Sequence, residues 1–291
     1  MRYILPVLTV IAVIVGIWYA AAVWMNAQWA YDQAERAGVE ITFTEMAAQT
    51  MQQDKPVLPA PHQVAQELWK TTGAMVLSGR AFSKRSLIFH GWITLSATLL
   101  GFAIGSVAGI ALAVGIVHSR VMDMSVMPWA IASQTIPILA LAPMIIVVLN
   151  SVGVQGLLPK AVISAYLSFF PVVVGMVTGL RSPDAMQMDL LKTYSASNAQ
   201  GFWKLRLPAS MPFLFTSLKI GIAASLVGAI VGELPTGAIR GLGARMLTGS
   251  YYGQNIQIWS ALFAAAIVAA LLVALIGLIE RVTLKRMGLA R

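Results

Sequence analysis

The chain has 291 residues, 58% of them hydrophobic and only 11% charged, where an ordinary soluble domain carries about 25% charged residues. So few charges exclude a soluble monomer, and so many apolar side chains exclude a disordered chain. What remains is a polytopic, all-α membrane protein. Twenty Lys and Arg against eleven Asp and Glu give a net charge of +9, and the absence of cysteine excludes disulfides, thiolate metal sites and cysteine nucleophiles.

A helix needs about 20 apolar residues to cross the hydrocarbon core of a bilayer. No Asp, Glu, Lys or Arg interrupts Tyr3 to Tyr31, Ser86 to Ser119, Met124 to Pro159, Ala161 to Leu180 or Met246 to Ile279. A sixth apolar run, Pro212 to Leu234, carries Lys219 near one end and Glu233 at the other, both expected to snorkel toward the interfaces. These runs predict six transmembrane helices near 3–24, 90–117, 124–149, 158–180, 212–235 and 256–280. Arg2 ahead of the first run and Ala20-Ala21-Ala22 near its end resemble a cleavable signal. Its apolar length exceeds that of a signal core, so it reads as a retained helix.

The polar stretch 25–89 follows. Within it Pro59, Pro61, Val64, Leu68 and Trp69 predict a short amphipathic helix opened by proline and lying on the outer face. The organisation expected is a first transmembrane helix (1–24), an external segment (25–89), a transmembrane core (90–285) with a cytoplasmic hairpin at 182–211, and a tail (286–291).

Lys and Arg favour cytoplasmic loops, most reliably when loops are short. With the N-terminus inside, the cytoplasmic side gains Arg2, Arg120, Arg181, Lys192, Lys204, Arg206, Lys219, Arg281, Lys285, Arg286 and Arg291, while the short outer loops carry only Lys160, Arg240 and Arg245. In 25–89, Asp32, Glu35, Glu40, Glu45, Asp54 and Glu67 balance Arg36, Lys55, Lys70, Arg80, Lys84 and Arg85. Both termini are therefore expected in the cytoplasm.

Gly101, Gly105 and Gly109 recur at intervals of four, as do Gly175 with Gly179 and Gly228 with Gly232. Residues without side chains on one helix face let a second helix approach closely, so these positions are expected at helix contacts. Pro128, Pro137, Pro143 and Pro171 fall inside expected spans and remove backbone hydrogen bonds there.

The connection from Arg181 to Met211 is the most informative segment. Ser182-Pro183-Asp184 opens a helix with Met186, Leu190 and Leu191 at helical spacing, and a second short helix is expected from Ser197 to Pro208. Phe202, Trp203, Leu205 and Leu207 need burial, whereas Lys204 and Arg206 form a basic rim. An apolar knob with such a rim suits docking to another protein.

Asp189-Leu190-Leu191, then Ser195, then Leu205-Arg206-Leu207-Pro208 resembles the EAA loop of ABC importer permeases. Its pattern is E-A-A, three residues, G, nine residues, I-x-L-P. The spacing agrees throughout, with Asp189 for Glu, Leu190 and Leu191 for two alanines, and Ser195 for the glycine. Leu58-Pro59-Ala60-Pro61, Ile136-Pro137, Ala140-Leu141-Ala142-Pro143 and Phe169-Phe170-Pro171 are similar, in order, to landmarks of the nitrate, sulfonate and taurine branch of that family.

The resemblance spans roughly residues 58 to 285 and implies a type I importer in the inner membrane. Its partners would be cytoplasmic ABC ATPase subunits, an external solute-binding protein and a second permease subunit, identical or not. It also implies that Asp189, Leu190, Leu191, Ser195, Ala196, Ser197, Leu205, Leu207 and Pro208 couple the ATPase to the membrane helices. No G-x-x-x-x-G-K-[ST] loop occurs, so this chain is expected to bind no cofactor itself, with ATP on the partner.

Gln134, Thr135, Ser164, Tyr166 and Ser168 are polar enough to line a solute passage, and so is Glu233 near the outer end of its span, which also has Arg240 and Arg245 as candidate partners. His62, His90 and His118 have no acid or second histidine at metal-ligand spacing, and neither an enzyme motif nor a nucleic-acid role is expected. Two rivals remain open: a secondary transporter or channel, which should show ionisable relays inside its spans, and a non-transporting membrane scaffold, which needs no cytoplasmic lever.

Overall fold

The computed structural model of the protein describes residues 4–235 and 240–289; Arg2 and Arg291, which enter the orientation reading, lie outside the described residues. In chain order the helices are α1 (Ile4–Ala37), α2 (Phe43–Met51), α3 (Pro61–Thr71), α4 (Gly73–Leu77), α5 (Leu87–His118), α6 (Arg120–Ser133), α7 (Ile138–Ser151), α8 (Leu157–Leu180), α9 (Ala185–Thr193), α10 (Asn198–Gly201), α11 (Leu207–Glu233), α12 (Leu242–Tyr251) and α13 (Asn255–Arg286). A π-helical turn, Phe202–Arg206, joins α10 to α11. No strand occurs among the described residues, as the composition required.

Five continuous elements are long and apolar enough to span a bilayer: α1, α5, α8, the run Asn198–Glu233 and α13. The third expected span, 124–149, is broken. Its two halves, α6 and α7, meet at 100°. The residue before a proline is pushed out of helical geometry, and Pro137 sits at the N-cap of α7 with extended backbone. Pro128 and Pro143 instead lie within α6 and α7. Helix α1 overruns its expected end because nothing breaks it before Gly38, whose φ of +65° closes the helix.

The described residues form two compact units. One takes the chain up to Gly91 together with Ala244–Ala265. Here the extended segment before α3 has its backbone satisfied by helix side chains, as buried polar groups must be. Buried Asn26 donates to the Leu58 carbonyl at 2.8 Å and accepts the Val57 N–H at 2.6 Å. Asn255 donates to Pro56 at 2.8 Å, and the Trp18 indole to Pro59 at 3.0 Å. The Trp18 ring stacks on Phe263 at 5.7 Å. Pro61 opens α3 as expected, while α2, unforeseen, starts from a capping box between Thr42 and Glu45.

The second unit takes Trp92–Gly243 and Ala266–Arg291. Its centre is α8, buried along one face against α5 and α11. A Cβ added at Gly101 would lie 2.3 Å from the Ser164 Cβ, and one at Gly105 2.3 Å from the Ser168 hydroxyl. At Gly228 the added atom would lie 2.7 Å from the Ser164 Cα. The glycine rows are helix contacts, as their spacing predicted. An apolar cluster of Ala113, Ile116, Val173, Met176, Val177 and Leu180 lies at one end, with Phe202 and Leu207 packed against it. Lys219 does not snorkel; it makes an ion pair with Glu280 of α13.

Candidate functional site

The hairpin is built by paired caps. Asp184, not Ser182, is the N-cap of α9: its carboxylate accepts the Gln187 N–H at 2.7 Å while the Gln187 side chain accepts the Asp184 N–H. Ser197 and Gln200 repeat the device at α10. Between them the chain reverses at Ser195, whose φ is +53°, the one positive value at a non-glycine among the described residues. Its N–H reaches the Lys192 carbonyl at 2.8 Å, and the Ala196 N–H reaches the Leu191 carbonyl at 3.0 Å. Those two bonds make a Schellman closure, which normally places glycine at this position.

The second arm does not end at Pro208. A proline lacks the N–H and crowds the carbonyl four residues back. The π turn widens the helix just before it, with the Leu207 N–H bonded to the Phe202 carbonyl, so the arm runs on into the span α11. The hairpin is thus continuous with a membrane helix. Met186 and Leu190 on α9 and Tyr194 at its C-cap, spaced by four, are 81%, 57% and 78% exposed and form an unpartnered apolar stripe. Leu190 therefore points away from the hairpin interior. Tyr194 was not singled out from the sequence, although its interval from Leu190 was the available signal. Asp189 pairs with Lys192 at 2.8 Å on the exposed surface.

Among the interior polar residues, Tyr166 meets the break between α6 and α7, donating its hydroxyl to the Ser133 carbonyl. Gln134 is half-buried there and Thr135 exposed. Ser164 and Ser168 are fully buried at the glycine contacts of α5 and α11. Glu233 does not snorkel: it is fully buried, its carboxylate accepting the Thr94 hydroxyl at 2.9 Å and the Gly243 N–H at 2.8 Å, with the Lys160 ammonium 3.9 Å away. Gly241, at φ +129°, lies so close that an added Cβ would fall 2.2 Å from that carboxylate.

Residues 101–288 match the family described as the binding-protein-dependent transport system inner membrane component. The chain belongs to this family. A riboflavin transport system permease protein of Chloroflexus aurantiacus is 30% identical to it over 229 residues, 79% of this chain and 80% of the relative. A formylaminopyrimidine transport permease protein of Halalkalibacterium halodurans is 34% identical over 167 residues, 56% and 65% of the two chains. A putative aliphatic sulfonates transport permease protein of Bacillus subtilis is 26% identical over 231 residues, 79% and 78%. The protein is a multi-pass membrane protein and a permease component of an ABC import system. The hairpin and the α6–α7 break both lie within the matched residues.

Proposed function

We propose that this permease forms a solute passage through the inner membrane and is opened by ATP-driven closure of cytoplasmic ATPase subunits pulling on the α9–α10 hairpin. Both termini and the hairpin lie in the cytoplasm, ATP stays on the ATPase, and a second permease subunit, identical or related, completes the passage. The solute arrives from an external binding protein.

The observation that carries this reading is the exposed stripe Met186, Leu190 and Tyr194 on a helix outside the spans. Such a surface is costly unless a partner covers it. Because the second arm continues into α11, a displacement of the hairpin is transmitted to a membrane helix without a flexible joint. Among the residues that the EAA-loop resemblance implicates, Leu190 then contacts the ATPase. Asp189, Leu191, Ser195, Ala196, Ser197, Leu205, Leu207 and Pro208 shape and hold the hairpin.

The passage wall is assigned to the α6–α7 break. Irregular backbone at bilayer depth is tolerated where it is buried in protein or lines water, and Thr135 to Pro137 are exposed on this chain. Gln134, Thr135 and Tyr166 thus face solute, while Ser164, Ser168 and Glu233 hold the surrounding helices together. The neutral amide and hydroxyls suit polar solutes as different as those named for the relatives, so selection rests with the binding protein.

Leu190→Asp tests the coupling. It puts a charge on an exposed position, so insertion and folding should be unchanged, while stimulation of ATP hydrolysis by the solute-loaded binding protein in proteoliposomes should be lost. Undiminished stimulation would remove the hairpin from the coupling path.

A further inference from the structure

Beneath the hairpin lies a cavity of about 230 Å³ between the end of α5 and both hairpin arms. Leu191 and Phe202 give it an apolar wall, and His118, Lys192, Asn198 and Arg206 a polar and basic one. No carboxylate lines it among the described residues.

The charges are unevenly satisfied. Lys192 holds Asp189 at 2.8 Å. Arg206 is half-buried, yet it has no acidic partner among the described residues. A guanidinium drawn partly out of water without a counter-charge is costly, and its fork of donors matches phosphate oxygens. His118 lines the same cavity, its Nδ1 donating to the Val114 carbonyl at 2.8 Å and its ring edge-on to Phe202 at 5.2 Å.

Depth selects the source of that phosphate. Helix α5 is an apolar span ending at His118, and the continuous run Asn198–Glu233 passes Arg206 as it enters its own span. The cavity therefore sits where helices leave the hydrocarbon, with an apolar wall for glycerol and the first acyl carbons. Basic pockets at that level bind anionic head groups.

We propose that this cavity binds the phosphate of an anionic phospholipid, held by Arg206 with Lys192 and His118, and that the lipid braces the coupling hairpin against the bilayer surface. The bracing role rests on the importer reading above; the lipid site itself does not. Inorganic phosphate shares the chemistry but lacks the acyl carbons, and an acidic side chain of the ATPase is the rival macromolecular occupant.

The test uses the full-length permease alone, reconstituted in nanodiscs of mixed phosphatidylcholine and phosphatidylglycerol, then released into detergent for native mass spectrometry of retained lipid. Phosphatidylglycerol should be retained preferentially. Arg206→Gln should reduce the preference about five-fold, Arg206→Lys should keep most of it, and Lys204→Gln, exposed and outside the cavity, should leave it unchanged. Asn198→Asp, which adds a negative charge to the cavity with Arg206 in place, should lower it as Arg206→Gln does.

Equal retention of the two lipids by the unaltered protein would overturn the proposal. A preference untouched by Arg206→Gln and Asn198→Asp would overturn it as well. Inorganic phosphate stabilising the lipid-free protein against heat as well as phosphatidylglycerol does would reassign the cavity to a soluble anion. No ATPase or binding protein enters these measurements, so their failure leaves the importer reading standing, and a failed transport assay leaves the lipid result readable.

Discussion

The carboxylate of Glu233 accepts the backbone N–H of Gly243 at 2.8 Å, so a buried acid at the end of α11 grips the chain where α12 begins. Thr94 of α5 joins the grip, donating its hydroxyl to Glu233 and accepting the Leu242 N–H, each at 2.9 Å. A buried carboxylate is tolerated when it is paired and hydrogen-bonded, and Lys160 of α8 supplies the opposite charge. Glu233→Ala strips both N–H and hydroxyl of their acceptor and leaves Lys160 buried without an anion. It should cost about 3 kcal/mol, read as a lower midpoint of thermal unfolding in detergent. Thr94→Val should cost less, about 1–2 kcal/mol. A Glu233→Ala protein as stable as the parent would remove the grip.

What the sequence made legible follows from what the solvent demands. A bilayer penalises charge at every position of a span, so uncharged runs marked α5, α8 and α13 closely. Helix contacts between close-packed backbones require missing side chains, so Gly101 and Gly105 were readable by spacing alone. The α6–α7 break was not, because Pro128, Pro137 and Pro143 carry the same local signal. Only Pro137 ends up between helices, beside a Ser133 carbonyl taken by Tyr166 from another span. Glu233 was misread for a similar reason: its partner Thr94 is 139 residues away, and local reasoning offered it only an interface. At the hairpin, spacing found the Ser197 cap and the turn, but the first cap proved to be Asp184, and the outward aim of Leu190 needed the helix phase.

Ser195 holds a conformation that side chains other than glycine adopt at a cost. At φ +53°, Ser195→Gly relieves that cost but frees the unfolded chain. The net result should be a hairpin stabilised by about 0.5–1 kcal/mol, seen as slower hydrogen exchange at the Ser195 and Ala196 amides. Ser195→Val, β-branched at a left-handed position, should speed the same exchange. Faster exchange in the glycine variant would mean that Ser195 is not strained.

Acid should loosen α2 from its first turn. The Thr42 backbone N–H, and after it the Thr42 hydroxyl, holds the Glu45 carboxyl below its ordinary range. A lowered folded value means that the cap's contribution is complete above the ordinary glutamate range and is lost as pH falls through the folded value. The protection of the Phe43 to Met46 amides, each referred to its intrinsic exchange rate, should therefore fall on acidification. Glu45→Gln should flatten that dependence. A profile unchanged by the substitution would rule the cap out as its cause.

Lys219 and Glu280 pair between α11 and α13 in segments otherwise free of charge for most of their length, so each removes the need for the other to reach an interface. Their side chains are 32% and 18% exposed, which keeps the pair well above the near-zero value of a fully solvated one. Lys219→Met leaves a carboxylate against an apolar helix, and Glu280→Gln leaves an ammonium there. Each should cost about 2 kcal/mol, read from thermal unfolding in detergent. The double variant should cost clearly less than the two single costs added, because it strands no charge. Exchanging the residues, Lys219→Glu with Glu280→Lys, should recover most of the loss, since the opposite charges still meet. Additive single effects would show that the two side chains act separately, each solvated at its own end of a helix.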